Sequence, residues 1–371
     1  MECEEWSAGV VECWSNGKAR ATMAASKVRV VASDFRLVVL AVAAVLTFLV
    51  ISFRVDAAGD PVGVLEKTDL VLAYPQASGV FTPIFVAGEA GLFKKYGLNV
   101  KLQQLNPQLS VQAVVSGSAD VSVAAGDLVN ASIQGAKIKL VGSSMSQLVF
   151  QLWAAKEITT VQQLKGKTLA GTTPRSVLEI ATREALKRQG LNFETDYKFI
   201  YMQSVPAILT AISTGKAAAG ALSAPTTLKA KDAGLNMLVD IAKANVAGLP
   251  LAYGFTEKFI KENPNTISAF LKGVAEGVAR TKNDPATAKQ AIGKFTKTED
   301  GKVIDDTYEF YTPYWVTNLA LKPEQLQTWF SYLDDKEYPQ AAKANPKDFY
   351  DNSFVEALEK SGFFQKLGQA K

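Results

Sequence analysis

The sequence predicts an α/β protein of two lobes with mostly parallel sheets, followed by a helical C-terminal part. Three observations carry this. Strand-like runs alternate with helix-like runs through the middle of the chain, the pattern of parallel sheets with right-handed crossovers. One supersecondary plan occurs twice: strand, loop, helix, glycine, strand, loop, short helix, glycine, strand, small-residue loop. A chain of 371 residues is also long for one simple core.

The first copy opens with a strand at Thr68 to Ala73 and a loop from Tyr74 to Gly79. A helix follows from about Pro83 to Tyr96, with Ile84, Phe85, Ala87, Leu92 and Phe93 as its apolar positions. Lys94 and Lys95 favour its C-terminal end, and Gly97 suits the left-handed cap. Leu98 to Leu102 alternates apolar and polar residues, as a half-buried strand does. A short helix from Leu109 to Ser116 ends at Gly117, Asp120 to Ala124 is a strand, and Gly126-Asp127 opens another helix.

The second copy begins with a strand at Lys167 to Ala170 and a loop from Gly171 to Arg175. Its helix runs to about Gln189 with Leu178, Ala181, Thr182 and Ala185 on one face, and Gly190 closes it. Phe199 to Tyr201 is a strand, Ile208 to Thr214 a helix ended by Gly215, and Ala219 to Leu222 a strand. Ser223 to Thr226 opens the next helix. Beyond Pro250 the pattern is mostly helical, with starts at Asn263-Pro264 and Asp284-Pro285, where proline gives up an N–H that the first helical turn does not use. Leu326, Trp329, Phe330 and Leu333 form an apolar stripe read as core, as are Trp153 and the Tyr308, Tyr311, Tyr314 series.

Composition removes several function classes. The chain has no histidine, which excludes Ser–His–Asp and Cys–His catalysis and His-ligated zinc or non-haem iron. The formal charge of +4, without basic runs, gives no reason to expect nucleic acid. Leu37 to Phe53 is apolar except for Thr47 and Ser52, follows Lys27, Arg29 and Arg36, and precedes Val55-Asp56-Ala57. That is the three-part pattern of a secretory signal peptide cut after Ala57, so residues 1–57 are read as an N-terminal extension and signal; left uncut, the run would anchor the chain. Met23 is an alternative start. Both cysteines, Cys3 and Cys13, lie ahead of this run, so the mature chain would be extracytoplasmic, without cysteine, metal or cofactor. A single run of spanning length excludes a multi-span carrier.

Three blocks together resemble a known family: Ala87-Gly-Glu-Ala-Gly-Leu-Phe-Lys-Lys-Tyr-Gly-Leu98, Val114-Val-Ser-Gly-Ser-Ala-Asp-Val-Ser-Val-Ala-Ala-Gly126 and Leu164-Lys-Gly-Lys-Thr-Leu-Ala-Gly171. They are similar to the nitrate, sulfonate and taurine substrate-binding proteins of ABC importers, also called NMT1/THI-like. The resemblance runs from about Asp69 to Leu333. It implies a two-lobed periplasmic-binding-protein-like fold with a hinge that closes on the ligand. The crossings between lobes are expected near Leu152 to Lys156 and Leu251 to Phe255. The first lobe would then comprise 66–155 and 253–371, and the second lobe 156–252. The resemblance also implies a binding protein serving an ABC permease and ATPase, and the mature chain is expected to be monomeric. Some family members are enzymes that make a thiamine pyrimidine, consuming an active-site histidine and using a cysteine-rich motif; this sequence has neither in its mature part.

The expected site lies where strand carboxyl ends and helix amino ends meet. Helices starting near Thr82, Ser110, Asp127 and Arg175 would each present roughly half a positive charge to the crevice, which suits a carboxylate, sulfonate or other small oxyanion. Ser110, Thr172, Thr173, Ser223 and Thr226 add hydroxyls, and Arg175 offers a bidentate contact. Tyr74, Gln76 and Ala77 would shape the first loop, Gly126 the approach to Asp127, and Ser176 the end of the 172–176 loop. Ser110, Thr173 and Asp127 are equally readable as helix caps, Asp127 also as the partner of a ligand amine, and Arg175 as a solvated first-turn residue. No residue is assigned to catalysis. An enzyme using lysine or carboxylates and a membrane-anchored ligand sensor stay as alternatives.

Overall fold

The computed structural model describes residues 3–6, 10–13, 63–333 and 337–369. The chain divides into two units, Met1–Ala58 and Gly59–Lys371. In the first, β1 (Cys3–Trp6) pairs antiparallel with β2 (Val10–Cys13). The apolar run at 37–53 lies outside the described residues. Among the described residues no helix is long and apolar enough to cross a membrane.

The second unit carries two five-stranded sheets built to one plan. The first contains β3 (Asp69–Tyr74), β4 (Asn99–Gln104), β5 (Val121–Ser122), β6 (Ile138–Gln147) and β12 (Ala247–Thr256), in the order β4-β3-β5-β12-β6. The second contains β7 (Gln151–Ala154), β8 (Lys167–Gly171), β9 (Tyr197–Tyr201), β10 (Ala219–Leu222) and β11 (Asn236–Asp240), in the order β9-β8-β10-β7-β11. In each sheet three parallel strands come from βαβ units, as the sequence pattern requires. The other two ladders of each sheet are antiparallel, because β12 in the first and β7 in the second run against the remaining four strands; the sheets are mostly parallel in strand direction, with one reversed strand each. The reason is the crossing itself. The chain leaves the first sheet through β6 and enters the second through β7; it leaves the second through β11 and returns through β12. An outgoing and a returning strand side by side must run in opposite directions, as β6 and β12 do, and β7 and β11.

This strand membership puts the changes of sheet at 148–150 and 241–246. Both precede the expected crossings at Leu152–Lys156 and Leu251–Phe255, because Leu152–Ala154 and Leu251–Phe255 are already strand residues of β7 and β12.

In the first βαβ unit the expected helix from Pro83 to Tyr96 is broken in two: α1 (Thr82–Glu89) and α2 (Leu92–Lys95). Gly91 between them has φ of 67°, a left-handed turn that glycine adopts without a Cβ clash. α3 (Pro107–Ser116) starts earlier than expected, because the Asn106 side chain accepts from Leu109 N–H at 2.8 Å and caps it. α4 (Ala125–Ile133) follows β5. In the second sheet's units α5 (Val177–Arg188), α6 (Val205–Ser213) and α7 (Thr226–Asp232) occupy the equivalent places.

The helical end comprises α8 (Glu257–Glu262), α9 (Pro264–Asn283), α10 (Pro285–Thr296), α11 (Gly301–Tyr311), α12 (Pro323–Phe330), α13 (Ser353–Lys360) and α14 (Phe363–Gln369). Ile267, Phe270, Leu271, Val274 and Val278 of α9 are wholly buried against the first sheet, the face the periodicity indicates. Not all of the C-terminal part packs there. Leu321, Leu326, Trp329, Phe330, Tyr332, Leu333 and Tyr338 join a cluster with α4 and the second sheet. The assignment of all of 253–371 to the first lobe therefore differs from the packing: the stretch around α12 lies over the seam.

Candidate functional site

The carboxyl ends of the parallel strands and the starts of the helices that follow them enclose a cleft of about 290 Å³. From the first sheet come Gln76, Ser78 and Phe81 after β3, Gln104 and Asn106 after β4, and Ala124 to Asp127 after β5. From the second come Thr172, Thr173 and Ser176 after β8, Gln203 and Ser204 after β9, and Ser223 after β10. The first crossing contributes Val149 and Phe150, β12 contributes Leu249 and Pro250, and α11 contributes Tyr311. Each loop sits there for the same reason: a parallel strand delivers the chain to one edge of the sheet, and the next helix must start beside it.

The helix starts are capped by short polar side chains that also face the cleft. Ser176 accepts from Glu179 N–H at 3.3 Å at the start of α5, and Ser204 from Ala207 N–H at 3.3 Å at the start of α6. Thr172 Oγ1 donates to Ser176 Oγ at 2.9 Å, which aligns the two hydroxyls on one wall. Ser78 is 5% exposed, and its hydroxyl lies beside that of Tyr311, with which it interacts. Burial pushes the Tyr311 phenol up to about 12, against the opposing pull of Ser78 and Ser223, so it stays a neutral donor.

Among the described residues, Asp127 and Tyr311 are the only titratable ones lining the cleft, and no lysine or arginine lines it. Asp127 lies in the first turn of α4. Burial pushes its carboxyl up from the ordinary 3.8 to about 6, and its own backbone N–H pulls the other way. Its residue surface is still partly open, because the cleft leaves one side of it to water while protein surrounds the rest.

The sequence-derived site residues divide accordingly. Gln76, Gly126, Asp127, Thr172, Thr173, Ser176 and Ser223 line the cleft. Five others do not. Tyr74 is buried at the end of β3, edge-on to Phe85 with centroids 5.4 Å apart. Ala77 is half-buried in the first loop, one residue short of the wall. Ser110 is fully buried in α3 and donates to the Leu105 carbonyl at 3.2 Å. Thr226 is the first residue of α7, held by its N–H to the Ser223 carbonyl at 2.9 Å. Arg175 has φ of 56°, pairs with Glu337 and lies over the Tyr338 ring at 5.2 Å. It faces a neighbouring cavity with Glu179 and Arg183, outside the cleft. Nor are Ser110, Thr173 and Asp127 helix caps: the cap positions are Asn106, Ser176 and Ala124.

Sequence reasoning missed Ser78, Gln104, Asn106, Gln203, Ser204 and Tyr311. Asn106-Pro107 and Ser204-Val-Pro206 are cap-plus-proline signals that would have found two of them. Tyr311 carried none, since nothing local brings α11 to the first loop.

Two like-planned sheets, an outgoing and a returning crossing, and a cleft at the strand carboxyl ends define the periplasmic-binding-protein fold. Three solved structures share it. A Bordetella bronchiseptica protein superposes with a TM-score of 0.68 at 20% identity, covering 81% of this chain and 99% of its own. The periplasmic nitrate-binding protein NrtA from Synechocystis gives 0.66 at 16% identity, covering 82% and 92%. The alkanesulfonate-binding protein SsuA from Xanthomonas axonopodis pv. citri, bound to MOPS, gives 0.63 at 16% identity, covering 77% and 98%. The chain belongs to the NMT1/THI5-like family, whose model matches residues 78–288. No curated protein matches it.

Proposed function

We propose that this chain is an exported, monomeric solute-binding protein that closes its two lobes on a small organic solute and delivers it to an ABC permease and its ATPase, without chemistry of its own. The carrying observation is the 290 Å³ cleft, lined by helix starts from both sheets and bounded by the first crossing and β12. Small rotations about the crossing segments would change its width without disturbing either sheet. Its polar groups are hydroxyls, amides, one phenol and one carboxylate. They suit recognition by hydrogen bonding more than bond-making. Solved structures of the same fold include the nitrate- and alkanesulfonate-binding proteins named above, which supports a transport role. The Leu37–Phe53 run supports export.

The anionic solute expected from the sequence rested on helix amino ends and hydroxyls, with Arg175 as a further contact; Arg175 lies outside the cleft, so the helix amino ends and hydroxyls alone remain to hold an anion. The proposal is tested by thermal shift and small-angle scattering of the purified protein against a small-solute library, with product analysis by mass spectrometry. One chemical class should raise the melting temperature by a few degrees, since a hundredfold excess over Kd adds about 2.7 kcal/mol. The radius of gyration should fall, and the solute should be recovered unchanged. A solute that binds and is converted, or a library without a single binder, overturns it.

A further inference from the structure

We infer that the solute carries a protonated nitrogen or an amidine-like N–H donor, which Asp127 receives at one end of the cleft while the lining's apolar side chains cover an apolar body. This rests on the solute-binding reading of the site and narrows it.

The cleft holds one carboxylate and no basic side chain. Among the described residues Asp127 has no ion-pair partner and no side-chain hydrogen bond to another residue. A carboxylate left so deep without a partner is costly, and the usual remedy is a cation or a strong donor supplied from outside. A bare oxyanion would instead be set against this charge, with helix amino ends alone to hold it. Ser78 also lines the cleft, and its hydroxyl, beside that of Tyr311, can accept from an N–H as Asp127 does. Gln76 and Gln104 add adaptable amides to the lining. The lining also carries apolar side chains, among them Val149 and Phe150 of the first crossing and Leu249 and Pro250 of β12. The match is a small nitrogenous solute with a flat or short apolar body.

Asp127 has a competing role as a first-turn acid that favours the helix dipole of α4. That role would place it on a cap N–H. Instead its stabilising contact is its own N–H, and burial outweighs it.

The test is titration calorimetry of the purified protein with matched probes: one-ring and short-alkyl bodies, each bearing an amine, amidine, hydroxyl, carboxylate or sulfonate head. Amine or amidine probes should bind, carboxylates and sulfonates should not. Asp127→Asn keeps the shape and removes the charge; it should weaken the cationic probes roughly tenfold or more and hydroxyl probes by less than about threefold. Circular dichroism and thermal melting of the variant verify that it is folded. Binding confined to anions overturns this inference and leaves the transport reading standing. Cation binding untouched by Asp127→Asn overturns it as well. No binding by any head group overturns both.

Discussion

The indole N–H of Trp329 donates to the Asn130 side-chain carbonyl at 2.8 Å, tying α12 to α4. The same ring occupies the space that a Cβ at Gly126 would need. Gly126 is the neighbour of Asp127, so a residue near the C-terminal end of the fold fixes the wall that holds the cleft's only carboxylate. A glycine there is required by close approach and not by φ, since its backbone is helical.

Gly126→Ala should therefore destabilise the protein by about 1–3 kcal/mol, the usual cost of forcing a methyl into packed space, and should also weaken ligand binding by shifting Asp127. Trp329→Phe keeps most of the ring and loses the N–H. It should cost about 1–2 kcal/mol through the unpaired Asn130, with little effect on binding. Denaturant unfolding of both variants, set beside calorimetry, separates the two effects.

Arg175 should matter to local packing and not to the ligand, its side chain being only 18% exposed and held outside the cleft. Its guanidinium pairs with Glu337, which is about half exposed, and stacks on Tyr338. Arg175→Ala is expected to cost under about 1 kcal/mol and to change ligand affinity by less than about threefold. Arg175→Gly should be the better tolerated change, because its φ of 56° is one that glycine adopts freely. Thermal melts and titrations of the two variants check this.

The misplacement of Arg175 shows where the sequence stops being legible. Thr173-Pro174 carries a helix-start signal, yet Ser176 caps α5 instead, and the intervening left-handed residue turns the arginine outward. Two competing cap signals within four residues cannot be ranked locally. The repeated plan was legible because glycine punctuates it: Gly97, Gly117, Gly190 and Gly215 all adopt positive φ, as helix-ending glycines should. The one reversed strand of each sheet was not legible, because it follows from the crossing path and not from residue periodicity. Tyr311 was read as core, which it is, but its hydroxyl reaches Ser78 and Ser223 through a tertiary contact that no local pattern encodes.

Glu66 should contribute stability with the ordinary carboxylate sign. It accepts from Asn265 N–H at 3.1 Å, Thr266 N–H at 2.9 Å and Thr266 Oγ1 at 3.0 Å, at the start of α9. Partial burial pushes its carboxyl up, but these bonds outweigh it and hold the group below its ordinary 4.5. Its contribution is therefore present above that value and is lost as pH falls through the lowered one. Because Glu66 is exposed, Glu66→Gln should cost only about 0.5–1 kcal/mol at pH 7. Melting temperatures of variant and wild type should converge as pH falls below that lowered value.

Asp127 should show the reverse sign. Its folded-state value of about 6 lies above the ordinary 3.8, so the folded chain keeps this proton at pH values where the unfolded chain has lost it. Stability is then drawn down as pH rises from about 4 to about 6, and the cost is constant above that window. The full shift corresponds to at most about 3 kcal/mol, and water in the cleft reduces it. Asp127→Asn removes the charge, so the unliganded variant should melt a few degrees above wild type at pH 8, with the difference vanishing near pH 4. A bound cation reverses the ranking: with a saturating amine probe the wild type should gain the larger shift, and that gain should fade as pH drops through about 6 and the carboxyl takes up its proton. Melting curves at pH 4, 6 and 8, with and without probe, decide the matter. An unliganded variant less stable than wild type at pH 8 would mean that the ionised carboxylate supports the folded state, and the cost assigned to its burial would be wrong.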